Sequence, residues 1–338
     1  MADERVRDSG DVAVAEKAPA TARVRGSRVA GSAVELEGVT KAFDQMVVLD
    51  SLDLSIEEGQ LFGLIGPSGC GKTTLVRLLV GLSAPTDGTV RVYGYEPRRF
   101  GPRERELIGY MPQGFNLYPT MTVLENARFA AGLYGLGWRQ RRRRIREVLT
   151  FLEIWDARGR RASAISGGMQ RRLSLACALL HRPRILFVDE PTAGLDPVLR
   201  TKIWEHLEYL RENGTTVILT TQYIDEAAGC DRVAVLDRGR IVADGSPDEL
   251  RRQAVSGEAL DVEAERFERG DIAALWQLPS VERVQWVGQD ALRCYVDDVG
   301  TATVAITEAL HERGTEVTAI RPYLPSFDEV FLKLVGRD

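Results

Sequence analysis

The sequence predicts an α/β fold, with a mainly parallel sheet covered by helices on both faces and a smaller α+β unit after it. Two observations carry this prediction: the apolar runs LFGLIG, RILFVDE and TTVILTT have the length of buried strands, and segments with helical spacing separate them. Continuous apolar strands that alternate with helices are typical of buried parallel sheets. The length of 338 residues suits two domains and a tail better than one core.

Composition narrows the function classes. With 44% hydrophobic and 28% charged residues the chain is globular, and its net charge of -5 disfavours a general nucleic-acid binder. The four cysteines are scattered, so neither a zinc site nor a disulfide framework is indicated, and reduced cytosolic thiols are expected. No signal peptide is recognisable, and no apolar run reaches the roughly 18 residues of a membrane helix. Any work at a membrane would therefore need another component to hold the chain there.

The chain before the first buried strand divides into two parts. Residues 1–32 are poor in large apolar side chains and predict a disordered tail. A basic membrane-touching arm at Arg23, Arg25 and Arg28 is the alternative, which acidic residues in the same tail weaken. From Val34 the segments VELEGV and LDLSIEEG alternate apolar and polar residues, which predicts antiparallel strands. The first folded domain is therefore expected over residues 33–254.

Two further segments complete the predicted organisation. Residues 123–178 are a helical insertion whose run WRQRRRRIRE is a solvated helix face or a contact for acidic lipid headgroups or a permease loop. Residues 255–338 have the order β-α-β-β-α-β, with a hairpin around Gly288, Gln289 and Asp290, followed by the short helix FDEVFLKLVG. This order predicts a ferredoxin-like accessory domain. There is no internal repeat, so the chain supplies one copy of each domain.

A phosphate-binding loop follows the first buried strand and opens a helix. It matches the pattern G-x-x-x-x-G-K-[ST], and its residues are Gly66, Pro67, Ser68, Gly69, Cys70, Gly71, Lys72, Thr73 and Thr74. The glycines let backbone N–H groups point inward at phosphate oxygens, and the positive helix N-terminus faces the same anion. Lys72 is expected to reach the β- and γ-phosphates and Thr73 to bind Mg²⁺. An ordinary glycine-rich turn is the alternative, which the Lys-Thr pair and the strand-helix context disfavour.

Two carboxylates end the second buried strand. Asp189 and Glu190 come at the C-terminal edge of the predicted sheet, where ligands bind in open α/β folds. Asp189 is expected to hold Mg²⁺ through water, and Glu190 to orient and deprotonate the attacking water. An isolated Asp-Glu pair could instead cap a helix, but its combination with a phosphate loop favours catalysis.

A third motif points to a family. Ser166, Gly167, Gly168, Met169 and Gln170 open a helix after Ile165, and this segment resembles the LSGGQ signature of ATP-binding cassette (ABC) proteins. By itself it could be a helix cap with a flexible lead-in. The resemblance covers about residues 34–250 and implies a P-loop ATPase with an antiparallel β subdomain and a helical insertion. It also implies that the signature binds the γ-phosphate of ATP held by a second chain, so that ATP and Mg²⁺ sites form in a dimer.

The same resemblance assigns roles to four other places. Phe43 would stack on adenine, although a lone phenylalanine is more often part of a core. Gln113 matches the glutamine that touches Mg²⁺ and links to the transmembrane partner, and residues 193–196 (Ala-Gly-Leu-Asp) match the loop at the dimer seam. The family usually has a histidine that contacts the γ-phosphate where this chain has Gln222. A glutamine amide donates a hydrogen bond but carries no positive charge, which predicts slower hydrolysis.

Two local patterns favour one branch of this family. The segment TTQY followed by Asp225, Glu226 and Ala227, and the segment PSFDEVF near the C-terminus, are similar to the daunorubicin-resistance branch of drug-exporter ATPases. That branch implies a peripheral subunit on the cytoplasmic face of the membrane, paired with a separate permease. The alternatives are a soluble ABC protein acting on ribosomes or DNA and a regulatory subunit with slow hydrolysis. Soluble ABC proteins of that kind usually carry two cassettes or long coiled-coil insertions, and this sequence shows neither.

Overall fold

The structure is a computed structural model that describes residues 31–114, 116–254, 258–288, 290–323, 325–334 and 336. Most of the predicted tail at residues 1–32, and Gln289 in the predicted hairpin turn, lie outside these ranges. The strands are β1 (Ser32–Phe43), β2 (Met46–Glu57), β3 (Leu61–Ile65), β4 (Asp87–Val92), β5 (Ile108–Met111), β6 (Ile185–Asp189), β7 (Thr216–Thr221), β8 (Arg232–Asp237), β9 (Arg240–Gly245), β10 (Glu258–Ala264), β11 (Val281–Trp286), β12 (Ala291–Val296) and β13 (Val317–Pro322). The helices are α1 (Lys72–Leu79), α2 (Pro102–Arg105), α3 (Val123–Leu133), α4 (Trp138–Phe151), α5 (Gly167–Leu179), α6 (Pro197–Glu212), α7 (Pro247–Ala254), α8 (Arg269–Trp276), α9 (Val299–Glu312) and α10 (Phe327–Leu334). None of these helices is long and apolar enough to cross a membrane.

The strands form three sheets. One has the order β5-β6-β7-β3-β8-β9, in which the strands from β5 to β8 are parallel and β9 pairs antiparallel with β8. A second, antiparallel sheet has the order β2-β1-β4. The third has the order β11-β12-β10-β13 and belongs to the C-terminal unit. The predicted fold class is confirmed.

The parallel sheet is buried on both faces, which explains its continuous apolar strands. In β6, Leu186 and Val188 face a core built with α3, α4, α5 and α6, whereas Ile185 and Phe187 face a core built with α1 and the antiparallel sheet. Successive side chains of a strand point to opposite faces, so a strand with a core on each side needs apolar residues throughout.

Sequence patterns did not reveal β4 and β5. The strand β4 has six residues and β5 has four, which is too short for alternation to stand out against the surrounding turns. Both matter for the site, because β4 completes the antiparallel sheet and β5 leads directly into the segment that carries Gln113.

Residues 258–322 form the predicted ferredoxin-like unit. The chain runs β10-α8-β11-β12-α9-β13, and its apolar side chains make a core of their own. The capping box that begins α8 includes Asp271, whose carboxylate also accepts a hydrogen bond from Arg313 at 2.8 Å.

The last helix, α10, returns to the nucleotide-binding part of the chain. Ser326 caps it by accepting a hydrogen bond from the backbone N–H of Glu329 at 3.3 Å. Phe327, Val330 and Phe331 join the same core as Leu250 of α7, and the Arg251 guanidinium lies 4.3 Å from the ring centre of Phe327. The PSFDEVF pattern is therefore a cap followed by an apolar stripe that docks α10. The domain boundary at residue 254 stays a prediction.

Replacing Phe331 by alanine tests this packing. Phe331 is 8% exposed, whereas the adjacent Leu332 is 48% exposed and provides a matched control. We expect Phe331→Ala to lower the free energy of unfolding by about 3 kcal/mol through lost burial and a residual cavity. Leu332→Ala is expected to change it by less than about 0.5 kcal/mol. Denaturant unfolding followed by circular dichroism measures both. Equal effects of the two variants would contradict the docking of α10.

Candidate nucleotide site

The phosphate loop, residues 66–74, joins β3 to α1 in a geometry that two glycines make possible. A Cβ on Gly66 would come within 2.2 Å of the carbonyl oxygen of Leu236, so no larger residue fits there. Gly71 precedes α1 with φ 115°, a conformation that L side chains rarely adopt. Its Cβ would also meet Leu49 of β2 at 2.6 Å. The antiparallel sheet thus packs directly against the loop.

Lys72 is the first residue of α1 and its side chain is buried over the loop. Its ammonium donates hydrogen bonds to the carbonyl oxygens of Gly66 at 2.8 Å and Pro67 at 3.0 Å. It also lies 3.9 Å from Oε1 of Glu190. A buried cation held inside a curled glycine-rich loop is a ready-made contact for phosphate.

Asp189 ends β6, and its two carboxylate oxygens differ in their hydrogen bonding. Its Oδ1 accepts hydrogen bonds from the hydroxyls of Thr73 at 3.2 Å and Thr220 at 2.5 Å. Its Oδ2 is buried with no hydrogen-bond partner among the described residues. A buried, unsatisfied carboxylate oxygen next to a threonine hydroxyl fits a divalent cation, because hard cations take oxygen ligands.

The donor set around Asp189 suits Mg²⁺ better than a fully protein-built metal cage. The described residues contain no group of three or more His, Cys, Asp or Glu side chains that could hold a metal ion. Mg²⁺ usually keeps several waters and is bound through one or two carboxylates plus substrate phosphates. The Thr73 hydroxyl lies against the Asp189 carboxylate, and the assignment of Thr73, Asp189 and Gln113 as the Mg²⁺ ligands stays a prediction.

Glu190 follows β6 in a strained backbone conformation. Its φ is 48°, a region that non-glycine residues enter rarely and mostly where surrounding structure enforces it. The enforcing contacts come from β7, because the Glu190 N–H donates to the Thr220 carbonyl at 3.1 Å and to its hydroxyl at 3.0 Å. The side chain accepts a hydrogen bond from Nε2 of Gln113 at 2.6 Å. The carboxylate is thereby aimed between Gln113 and Lys72.

Arg171, which sequence reasoning missed, ties the signature helix to this cluster. It is buried at the start of α5, and its guanidinium donates to the backbone carbonyl of Gln113 at 2.7 Å. Burial lowers the pKa of Arg171, and the nearby Glu190 and Asp189 carboxylates oppose that shift. The signal available in the sequence was an arginine immediately after the signature segment. Its hydrogen-bond partner, Gln113, lies 58 residues earlier in the chain, so the contact could not be inferred.

The signature segment, residues 166–170, forms the N-terminus of α5. Ser166 caps the helix by accepting from the N–H of Met169 at 3.3 Å, and Gln170 donates to the carbonyl of Ala162 at 2.7 Å. Gly167 has open space around it, whereas a Cβ on Gly168 would meet Leu199 of α6 at 2.5 Å.

A cleft of about 440 Å³ lies in front of this segment. It is lined by the first three residues of the signature segment, by Arg171 and Leu199, and by residues 193–196, the predicted dimer-seam loop. No residue of the phosphate loop is among the described residues that line it. The backbone N–H groups at the N-terminus of α5 thus form an anion-binding end in a cleft that the chain's own phosphate loop does not reach.

Comparison with known proteins places this geometry in a family. The model of the family "ABC transporter" matches residues 49–193, and the model "ATP-binding protein DrrA1-3-like, C-terminal domain" matches residues 245–335. The daunorubicin resistance ATP-binding protein DrrA3 of Streptomyces coeruleorubidus is 37% identical over 312 residues, which covers 92% of this chain and 98% of that protein. The chain belongs to the ABC transporter ATP-binding proteins. The "Nod factor export ATP-binding protein I" of Cupriavidus metallidurans is 36% identical over 308 residues, covering 90% of this chain and 98% of that protein.

Other relatives of this ABC protein match a part of their length or a part of the chain. The probable multidrug ABC transporter ATP-binding protein YbhF of Escherichia coli is 37% identical over 228 residues, and the match spans 39% of YbhF. The dimeric structure of the ABC transporter cassette MJ0796 aligns with a TM-score of 0.59 at 30% identity, covering 63% of this chain and 98% of that one. A post-hydrolysis state of MJ0796 with ADP and Pi aligns equally well.

The structure gives the exposure of the remaining predicted residues of the ABC protein. Phe43 ends β1 with its ring exposed, and the Lys41 ammonium lies 4.7 Å from the ring centre. Ser68 and Gly69 are exposed, and Thr74 is half-buried in α1. Gln222 follows β7 and is exposed. The roles assigned to these residues stay predictions.

Cys70 sits inside the phosphate loop as a packing residue. Its thiol is buried, and a Cβ on Gly66 would lie 2.7 Å from its sulfur. Burial raises the pKa of Cys70, a shift that the nearby Lys72 ammonium partly offsets. The thiol therefore stays protonated at neutral pH, and all four cysteines are free thiols.

Proposed function

We propose that this ABC protein hydrolyses ATP and drives export through a separate transmembrane permease, with a second copy of the chain completing each ATP site. The single observation that carries the proposal is the position of Glu190. Its carboxylate lies 2.6 Å from Nε2 of Gln113 and 3.9 Å from the Lys72 ammonium. A base at the end of β6, next to a phosphate loop and to the Asp189 oxygen that has no hydrogen-bond partner among the described residues, has the placement that phosphoryl transfer to water requires.

Each residue has a distinct part in the proposed cycle. Lys72 and the loop N–H groups bind the phosphates, and Glu190 accepts the proton of the attacking water while Gln113 holds its carboxylate in place. Thr73, Asp189 and Gln113 would hold Mg²⁺, which would supply positive charge next to the phosphates. The protein contributes positioning and charge stabilisation, which dominate catalysis of phosphoryl transfer.

We infer a second chain because no described residue of the phosphate loop lines the cleft in front of the signature segment. The cleft between the signature segment and the dimer-seam loop supplies the anion-binding end of α5 to a partner. ATP would clamp two copies together, and hydrolysis would release them. Arg171 then joins signature and Gln113 within one chain, so closure at one site moves the segment that faces the permease.

Export, rather than import, is supported by the relatives that span the whole chain, which are named for daunorubicin resistance and Nod factor export. The cargo is proposed as a drug or a lipid, selected by the permease. The subunit is then peripheral on the cytoplasmic face of the membrane. Co-purification with a membrane protein tests this against a soluble ABC protein, which would not depend on a permease.

Turnover of Mg-ATP by the purified chain tests the enzymatic part, and Gln222 sets its rate. We expect measurable turnover in the wild type and a several-fold increase in Gln222→His, since a charged imidazole binds the γ-phosphate about twice as strongly as a neutral amide. Gln222→Leu, which has no donor, is expected to fall below the wild type.

This assay distinguishes an ATPase from a regulatory subunit and tests whether Gln222 limits hydrolysis. No turnover in either wild type or Gln222→His would overturn the ATPase and leave a nucleotide-binding regulatory subunit as the function. An unchanged or lower rate in Gln222→His, with an active wild type, would show that Gln222 does not limit hydrolysis.

A further inference from the structure

One face of α4 is densely basic and turned to solvent. This arginine face consists of Arg139, Arg142, Arg143 and Arg146, at the i, i+3, i+4 and i+7 spacing of a single helix face, and all four are exposed. The opposite face packs Ile145, Val148 and Leu149 into the core. The helix is thus fixed by its apolar side. On the arginine face, Arg146 lies 5.6 Å from the ring centre of Trp155, yet all four arginines remain exposed to solvent.

The positive charge of α4 is not balanced by acidic residues of the helix itself. Glu147 is its one acidic residue, and it already pairs with Arg143 at 2.7 Å and with Arg182 at 3.6 Å. Arg139 and Arg142 make no ion pair with any described residue. The exposed helix α6, by contrast, mixes Arg200 and Lys202 with several glutamates.

The arginines also stand where the helix itself disfavours them. The first turn of α4 contains no acidic residue, so its positive charges lie at the positive end of the helix dipole. Like charges at i,i+4 spacing repel each other as well. A face that contacts only water gains no stability from this arrangement. An external anionic surface, by contrast, would interact favourably with all of these arginines at once.

Exposed apolar side chains lie at the same end of the helix. Trp138, the first residue of α4, is 68% exposed, and Leu133, the last residue of α3, is 70% exposed. Tryptophan and arginine together are typical of surfaces that lie in the headgroup region of a bilayer, where the indole is half-immersed and the guanidinium binds phosphate.

We propose that the arginine face and Trp138 bind the anionic phospholipid headgroups of the membrane directly, as an attachment additional to the permease. The chain has a net charge of -5, so this face is a local positive patch on an otherwise acidic protein. Such a patch favours a specific anionic surface over general polyanion binding. An acidic permease loop would be matched by the arginines but would leave Trp138 and Leu133 without an apolar environment. The proposed function enters only by placing the protein near a bilayer.

Vesicle flotation with the purified full-length chain tests the proposal without a permease and without ATP. We expect binding to vesicles of phosphatidylcholine mixed with phosphatidylglycerol, little binding to phosphatidylcholine alone, and weakening by salt. Arg139→Gln/Arg142→Gln/Arg146→Gln should weaken binding about a hundredfold, since each arginine near an anionic surface contributes about fivefold. The matched control is Arg91→Gln/Arg98→Gln/Arg103→Gln, which removes three exposed arginines elsewhere and should bind as the wild type does.

Three results would overturn the proposal. The first is no preference of the wild type for anionic vesicles at low salt. The second is undiminished binding by the α4 triple variant with an unchanged unfolding temperature, which would move the contact to another part of the chain. The third is equal loss in the control variant, which would make the effect one of net charge. If the α4 variant loses permease co-purification while the wild type ignores vesicles, an acidic permease surface is the partner instead.

A second measurement tests the contact of Trp138 with the bilayer. Brominated lipids quench a tryptophan only when it lies at the bilayer, and the chain has five tryptophans. Quenching by anionic brominated vesicles should be present in the wild type and lost in Trp138→Phe, even though that variant keeps every arginine. Quenching that persists in Trp138→Phe would place a different tryptophan at the membrane. Because none of these measurements needs hydrolysis, an inactive ATPase would leave them unaffected.

Discussion

Glu190→Gln is expected to bind ATP, lose hydrolysis and remain as a dimer with ATP. Removal of the base should lower turnover on the order of a hundred- to a thousandfold. The new amide is isosteric and its carbonyl can still accept from Gln113, so the geometry at 2.6 Å is kept. The anion beside Lys72 is gone, which also reduces repulsion toward the γ-phosphate. Size-exclusion chromatography with and without Mg-ATP measures the dimer.

The control for this prediction is Asp156→Asn, an equal charge change at an exposed carboxylate away from the cluster. It should hydrolyse ATP and elute as the wild type does. A Glu190→Gln protein that binds ATP yet stays monomeric would count against the two-chain site, whereas one that hydrolyses normally would remove Glu190 from the role of base.

Asp189→Asn is expected to separate nucleotide binding from Mg²⁺. Asparagine can still accept from the hydroxyls of Thr73 and Thr220, so the local fold should persist. The buried charge with the unsatisfied Oδ2 disappears, and the free energy of unfolding without nucleotide should stay equal or rise by about 1 kcal/mol. Hydrolysis should fall at least a hundredfold, because a bound cation contributes several kcal/mol to stabilising charge in the transition state.

Thermal unfolding provides the measurement that does not depend on activity. In the wild type, Mg²⁺ should add to the stabilisation that ATP gives, which amounts to about 2.7 kcal/mol at a ligand concentration of one hundred times Kd. In Asp189→Asn the stabilisation by ATP should be the same with Mg²⁺ and with a chelator. An undiminished Mg²⁺ increment in the variant would exclude Asp189 from the cation site.

The parts of the fold that sequence analysis predicted are those with strong local signals. Buried strands such as β6 and β7 are continuous apolar runs because a core covers each face, and the phosphate loop is recognisable because Gly66 and Gly71 occupy positions that no other residue fits. The order of elements in residues 258–322 likewise followed from alternating periodicities. In each case the local pattern and the final fold agree.

What remained hidden depends on contacts between distant parts of the chain. Arg171 and Thr220 hold Gln113 and Glu190 in place, but an arginine after a helix start and a threonine in a strand carry no sign of such partners. The docking of α10 was hidden for the same reason, since its apolar stripe fits a separate domain as well as the cassette. The sequence therefore predicted which residues form the site better than how they are held.

The return of α10 to the cassette makes residues 258–322 an insertion with two points of attachment. The helices at its two ends, α7 and α10, pack on one another through Arg251 and Phe327, and α10 shares a core with Ala227 in the turn that follows Gln222. Because this unit is held at both ends, it cannot be displaced as a whole without moving or straining α7 or α10, and α10 contacts the turn that follows Gln222.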